Sequence, residues 1–338
     1  MSDLLQKNSR VLLTGATGFL GSYILDLLCK NNYQVTALKR GTSDTSLFDH
    51  QKINWVEADL LDQSILEETL EKIDVVIHAA GFVSFHARDT KQLFRVNVEG
   101  TALLVNLCLQ KKIRKFVHVS SVAALGNHPD ELSVNEMHFG PEEKFSTRYG
   151  LSKYLGEMEV WRAMAEGLNA VILNPSIILG AGDWNRSSAR LFKIVKEGLK
   201  FYPDGYTGFV DVRDVAIIAV RLMESDITEE RFIVSAENMA YRDLLMKMAS
   251  ALGAKLPSTR AGKRLATLAM MADQIRSFIT GKEAALTRET VQNSYAHTQF
   301  DHSKIKEALD YQFIPIQSTI EACANLLKSG QAMSLLTW

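Results

Sequence analysis

Short runs rich in Val, Ile and Leu alternate with stretches of helical apolar spacing through the first half of the chain. The apolar runs fall at residues 10–14, 34–38, 53–57, 74–79, 115–120 and 169–174, and the helical pattern at 20–30, 64–70, 98–110 and 153–166. Almost continuously apolar runs read as strands covered on both faces, and strand–helix alternation reads as a parallel sheet with right-handed crossovers. The predicted fold class is α/β, a doubly wound parallel sheet. After residue 174 the pattern loosens into helical segments at 187–198, 213–225, 241–252 and 263–280, with one more strand at 230–235. This predicts a sheet domain over 1–174 to which 209–235 returns. A smaller, mostly helical lobe, 175–208 and 236–338, should lie over the carboxyl edge of the sheet, where such folds bind ligands.

At 338 residues the chain exceeds what one hydrophobic core usually fills, in keeping with a second lobe. A formal charge of −1 gives no long-range attraction for polyanions, so no nucleic-acid partner is expected. Cys29, Cys108 and Cys323 are widely spaced, and the first two fall in helical patterns where cysteine packs as a small hydrophobe. No CxxC or Cys/His cluster suggests a metal site. The polar N-terminus lacks the apolar core of a signal peptide, and no run reaches the roughly 18 apolar residues of a spanning helix. A reducing, cytoplasmic setting with no membrane partner is the expectation. The helix at 263–280, with Met270 and Met271, is moderately amphipathic, and core packing is expected for it over the alternative of a membrane-contacting lid.

Directly after the first strand comes Thr14-Gly15-Ala16-Thr17-Gly18-Phe19-Leu20-Gly21. Glycines spaced three apart permit a tight turn and a close backbone approach to a pyrophosphate, and the helix that follows presents free N–H groups to the phosphates. The strand before and the helix after make this a Rossmann dinucleotide site, with Gly15, Thr17, Gly18, Phe19 and Leu20 expected around the cofactor. The second strand ends in Leu38-Lys39-Arg40, where enzymes that use NAD place a carboxylate for the ribose hydroxyl. Lys39 and Arg40 suit a 2′-phosphate instead, Arg40 by a forked, charge-assisted pair. NADP(H) is thus expected in preference to NAD(H).

These residues resemble the TGxxGxxG motif of the extended short-chain dehydrogenase/reductase family, the NAD-dependent epimerases and dehydratases. Other parts of its pattern recur in order. Ala58-Asp59-Leu60 is similar to the pair that holds the adenine, His78-Ala79-Ala80-Gly81 to the turn beneath its ribose, and Asn97-Val98-Glu99-Gly100-Thr101 to the NVxGT helix. Asp301-His302-Ser303-Lys304 through Tyr311 resembles the family's closing segment, with Asp310 in the usual glycine position. Tyr149-Gly150-Leu151-Ser152-Lys153 matches its YxxxK signature and places both side chains on one helix face. The resemblance implies an oxidoreductase in which Tyr149 is the general acid/base, Lys153 holds the nicotinamide ribose, and the second hydroxyl of Ser120-Ser121 polarises a carbonyl. A lysine ammonium and an oxidised nicotinamide are expected to lower the phenol from its usual value near 10 toward neutrality. Asn174-Pro175-Ser176 resembles the segment against the nicotinamide carboxamide.

Within the family, Phe82-Val83-Ser84-Phe85 and Gly180-Ala181-Gly182-Asp183-Trp184 are most similar to the dihydroflavonol-reductase-like branch, close to the 3β-hydroxysteroid dehydrogenases. Phe85, Trp184 and Phe209 are the candidate apolar substrate wall, and the loop 127–148 is the expected cover. Dehydratases of the family carry an Asp-Glu pair just after the catalytic hydroxyl, but here Val122-Ala123-Ala124 follows Ser121. The reading is an NADP-dependent reductase of a small-molecule ketone or aldehyde, or the reverse alcohol oxidation. A sugar-nucleotide epimerase with retained cofactor is the alternative, and a non-catalytic nucleotide-binding protein stands behind it. Members of the family often dimerise through the helices at 98–110 and 153–166 and others are monomers, so the resemblance leaves a homodimer as one of two expectations.

Overall fold

The computed structural model describes residues 9–46, 48, 53–128, 131, 133–138, 147–280 and 287–330, without the side chains of 272 and 274–280. In chain order the first part holds β1 (Arg10–Thr14), α1 (Phe19–Lys30), β2 (Gln34–Lys39), β3 (Ile53–Glu57), α2 (Gln63–Leu70), β4 (Val75–His78), α3 (Thr90–Phe94), α4 (Gly100–Gln110), β5 (Lys115–Val119), α5 (Arg148–Ala165) and β6 (Ala170–Pro175). There follow β7 (Ile177–Leu179), α6 (Ala189–Lys196), β8 (Phe201–Tyr202), β9 (Tyr206–Asp211), α7 (Val212–Glu224), β10 (Glu230–Val234), β11 (Glu237–Ala240), α8 (Tyr241–Leu252), β12 (Thr259–Arg260), α9 (Lys263–Thr280), α10 (Arg288–Asn293), α11 (Ser303–Leu309) and α12 (Ile316–Ser329).

Seven strands form one sheet in the order β10-β6-β5-β4-β1-β2-β3, every neighbouring pair parallel. This is the doubly wound Rossmann fold. Strand periodicity divides its side chains between two cores. Val11, Leu13, Val171 and Leu173 face the layer of α1 and α7, whereas Leu12, Ala170 and Ile172 face α2, α4 and α5. Cys108 is buried in the second core, the small-hydrophobe role its pattern suggested.

The lobe contains a three-stranded sheet, order β11-β9-β7, and a core in which Phe192, Leu244, Met248, Ile320 and Cys323 meet. Four sequence expectations change here. Phe209 is fully buried in this lobe core, its ring edge-on to Tyr241, so it does not form an open substrate wall. Ile305, Leu309 and Tyr311 pack into the core of the large sheet, so the segment around α11 belongs with that sheet and not with the lobe. α5 starts at Arg148 and not at 153, because the Thr147 hydroxyl accepts the Gly150 N–H at 2.9 Å and caps the helix there. On α9, Leu265, Leu268 and Met271 are exposed instead of packed in a core.

Asp310 ends α11 at φ 45°, the left-handed conformation that a glycine would supply. No helix among the described residues is long and apolar enough to cross a membrane. No group of three or more His, Cys, Asp or Glu among them is placed to hold a metal ion.

Candidate active site

Gly15 carries φ +73°, and a Cβ there would come within 2.6 Å of the Ala80 nitrogen; one at Gly21 would lie 2.0 Å from the Gly15 carbonyl oxygen. Only glycine lets β1, the turn after β4 and the start of α1 converge so closely. The result is a cleft of about 830 Å³ at the carboxyl edge of the sheet. Gly15, Thr17, Gly18 and Phe19 border it at the head of α1, Asp59 and Leu60 after β3, and Ala79, Ala80 and Gly81 after β4. Leu20 points away into the core and is 9% exposed. A glycine cradle opening onto free helix N–H groups fits a dinucleotide pyrophosphate.

At the far side of the cleft the N–H of Arg40 donates to the Ser43 hydroxyl at 3.1 Å, folding the chain after β2 into a turn. Lys39 and Arg40 both line the cleft. Lys39, however, is paired with Glu57 at 3.3 Å, a carboxylate brought opposite it by the β2–β3 register. Sequence position did not reveal this acid, because it lies on the next strand. Arg40 is the cation of the pair left to face a ligand. The lobe closes the cleft from above. Tyr23 donates to the Ala181 carbonyl at 2.8 Å, and a Cβ on Gly182 would come within 2.9 Å of the Phe19 ring, so the loop carrying Asp183 and Arg186 lies over the mouth.

Beneath the cleft runs a buried polar chain. Thr101 Oγ1 donates to the Asn97 carbonyl at 2.8 Å and so accepts from His78 Nε2 at 3.1 Å. His78 Nδ1 then accepts from Thr14 Oγ1 at 2.7 Å, and Thr14 Oγ1 accepts the Ala80 N–H at 3.1 Å. One neutral tautomer satisfies every link. Burial, with the Lys153 charge beside it, pushes the His78 pKa down to about 3, so the imidazole stays neutral. Asn97 completes the frame, bonding both backbone groups of Phe82 and the Ser152 hydroxyl, at 2.7–2.9 Å. It is 3% exposed and supports the turn after β4 from behind.

The first turns of α5 carry Tyr149 and Lys153. The Ser121 hydroxyl lies close enough to the Tyr149 phenol to favour its ionised form, and the phenol ring lies edge-on to Phe85 at 5.7 Å between centroids. Lys153 Nζ donates to the Val119 carbonyl at 2.9 Å, two residues before Ser121. The structure thus gathers Ser121, Tyr149, Lys153 and Phe85. Ser120, by contrast, is buried with its hydroxyl unpartnered among the described residues.

The electrostatics differ from the sequence expectation. Burial raises the Tyr149 phenol above its ordinary value of 10, and it is the Ser121 hydroxyl, not Lys153, that opposes the rise. Burial also brings Lys153 down to about 8, against the pull of the Glu157 carboxylate. In the free chain Tyr149 therefore keeps its proton at neutral pH.

Asn174, Pro175 and Ser176 are all buried inside or just past β6 and, like Ser121, Tyr149 and Lys153, are not among the residues that border the cleft. Asn174 Nδ2 donates to the Ser121 carbonyl at 2.8 Å and to the carboxylate of Glu157. Glu157, fully buried, pairs with Arg231 at 3.1 Å, itself 2% exposed. The Arg231 guanidinium also donates to the carbonyls of Glu136 and His138, tying β10 to the loop between Ser121 and Tyr149. Residues 129–130, 132 and 139–146 of that loop lie outside the described residues. The available signal for Glu157 was its place one helical turn beyond Lys153. Trp184 is half-buried with its ring edge-on to Phe192, packed on the lobe core.

The model of the NAD dependent epimerase/dehydratase family matches residues 11–234. The chain is 30% identical to sterol demethylase protein B of Methylococcus capsulatus over 256 residues, covering 75% of this chain and 78% of that one. It is 28% identical to a putative dihydroflavonol 4-reductase of Synechocystis sp. over 320 residues, 93% of this chain and 92% of the relative. The crystal structure of gox2253 superposes with a TM-score of 0.81 at 28% identity, covering 96% of this chain and all of that one. Glycine cradle, YxxxK helix and these likenesses agree, and the chain belongs to the NAD-dependent epimerase/dehydratase family, the extended short-chain dehydrogenases/reductases.

Proposed function

We propose that this protein is an NADP-dependent reductase of a small-molecule ketone or aldehyde, with Tyr149 as the proton donor. One observation carries it: the first turns of α5 set Tyr149 and Lys153 beside Ser121 at the carboxyl end of β5, with Lys153 Nζ bonded to the Val119 carbonyl. A phenol that burial pushes up has a proton to give to a carbonyl oxygen at neutral pH. The Ser121 hydroxyl, beside that phenol, polarises the same oxygen as negative charge develops on it. The Lys153 ammonium, anchored on the Val119 carbonyl on the same helix face as Tyr149, would hold a ribose hydroxyl of the cofactor. A bound nicotinamide supplies the hydride. Phe85 beside Tyr149 gives an apolar contact for the carbon skeleton, in keeping with the dihydroflavonol-reductase-like relative.

The epimerase reading takes its support from the family name. An epimerase interconverts its substrate with no net use of cofactor, whereas a reductase consumes one equivalent per product. A panel of carbonyl compounds followed by loss of NADPH absorbance separates the two.

The cofactor preference rests on Arg40, since Lys39 is already held by Glu57. Arg40→Asp removes a charge-assisted contact to a 2′-phosphate, worth about 1.5–3 kcal/mol. The expected result is a loss of roughly tenfold to a hundredfold in the NADPH-to-NADH ratio of kcat/KM. An unaltered ratio argues against NADP.

A further inference from the structure

Five of the seven large apolar side chains exposed among the described residues fall in one stretch of the lobe. They are Phe201 (43%), Leu256 (51%), Leu265 (45%), Leu268 (63%) and Met271 (51%). Single exposed apolar residues are ordinary, but a contiguous set marks an interaction surface. The backbone brings the segments that carry them together. β8 pairs with β12, the N–H groups of Ser258 and Thr259 donate to the Lys200 carbonyl at 3.0 and 3.1 Å, and the Ala261 N–H donates to the Tyr202 carbonyl at 2.9 Å, two residues before α9 begins. Along α9, Leu265, Leu268 and Met271 recur at steps of three and so occupy one side of the helix.

The charge on this face is mainly basic. From Gly253 to Ala272 the sequence holds Lys255, Arg260, Lys263 and Arg264 and no acid, in a chain whose net charge is −1. Arg260 is paired with Asp204, while Lys255, Lys263 and Arg264 are exposed at the edge of the apolar set. Lys200 adds a fourth exposed cation, its ammonium 5.6 Å from the Phe201 ring.

From this combination we infer that β8, the 253–262 segment and the first half of α9 form a docking surface for an anionic lipid membrane. An amphipathic helix with basic residues beside its apolar face lies in the plane of the headgroups, its apolar side chains entering the acyl boundary and its cations meeting lipid phosphates. The charge argues against a second copy of this chain, because two such faces would bring like charges together. Binding to a surface needs no spanning helix, so the expectation of a chain without a membrane partner is revised.

The test floats the full chain with phosphatidylcholine vesicles, with and without phosphatidylglycerol, at low and high salt. The chain should float with the anionic vesicles, less at high salt, and not with the neutral ones. Leu265→Ser/Leu268→Ser/Met271→Ser and, separately, Lys255→Glu/Lys263→Glu/Arg264→Glu should each weaken binding by roughly tenfold or more. Both variants should keep the parent's melting temperature and dinucleotide affinity. Failure of the parent chain to float with anionic vesicles overturns the proposal, as does either folded variant binding as well as the parent. Dimerisation through this face without vesicle binding overturns it too. The readout is flotation, so a failed reductase assay leaves this inference standing, and the reverse holds.

Discussion

Tyr149→Phe is expected to lower kcat by about 10²–10⁴-fold, the range that a positioned proton donor contributes. The substitution removes one oxygen and keeps the ring against Phe85, so it leaves no cavity. What disappears is the hydroxyl beside Ser121 that, in the proposed reaction, gives its proton to the carbonyl oxygen. The affinity for NADPH, read by titration of protein fluorescence, should stay close to that of the parent, because the cleft's glycine cradle is untouched. Unchanged turnover removes Tyr149 from the reaction.

The second large effect concerns stability. Glu157 and Arg231 form an ion pair almost wholly out of water, and Glu157→Ala leaves a buried guanidinium without its carboxylate. Loss of one partner of such a pair costs about 3–5 kcal/mol. The carbonyls of Glu136 and His138, which the guanidinium also reaches, should hold the loss to the lower part of that range. The same change frees the Asn174 side chain, whose other bond steadies the Ser121 carbonyl. The urea midpoint is therefore expected to fall, with kcat falling in the protein that remains folded. An unshifted midpoint contradicts this account of the pair.

Why the sequence foretold some of this and not the rest is a matter of range. The strands of the large sheet were legible because burial on both faces leaves a local record, a nearly unbroken apolar run such as Val75–His78. The glycine cradle was legible because backbone geometry at Gly15 admits little else. The pairing of Lys39 with Glu57 was not legible because Glu57 sits on an adjacent strand, and register is not written beside either residue. Phe209 misled because an aromatic within a short strand looks the same whether it faces a cleft or a core. The upward shift of the Tyr149 phenol was out of reach for a related reason: its cause is burial, and spacing along α5 does not report burial. Asn174 resembled a cofactor contact by position, yet its bonds run inward to Ser121 and Glu157.

The central claim is a hydride delivered to a carbonyl carbon while Tyr149 gives up its proton. NADPH carrying deuterium on the reactive face of the nicotinamide tests it most directly, with the product read by mass spectrometry. One deuterium on the carbinol carbon for each NADPH consumed is the result this account predicts. A substrate interconverted with its stereoisomer, with no NADPH lost and no deuterium gained, would contradict it.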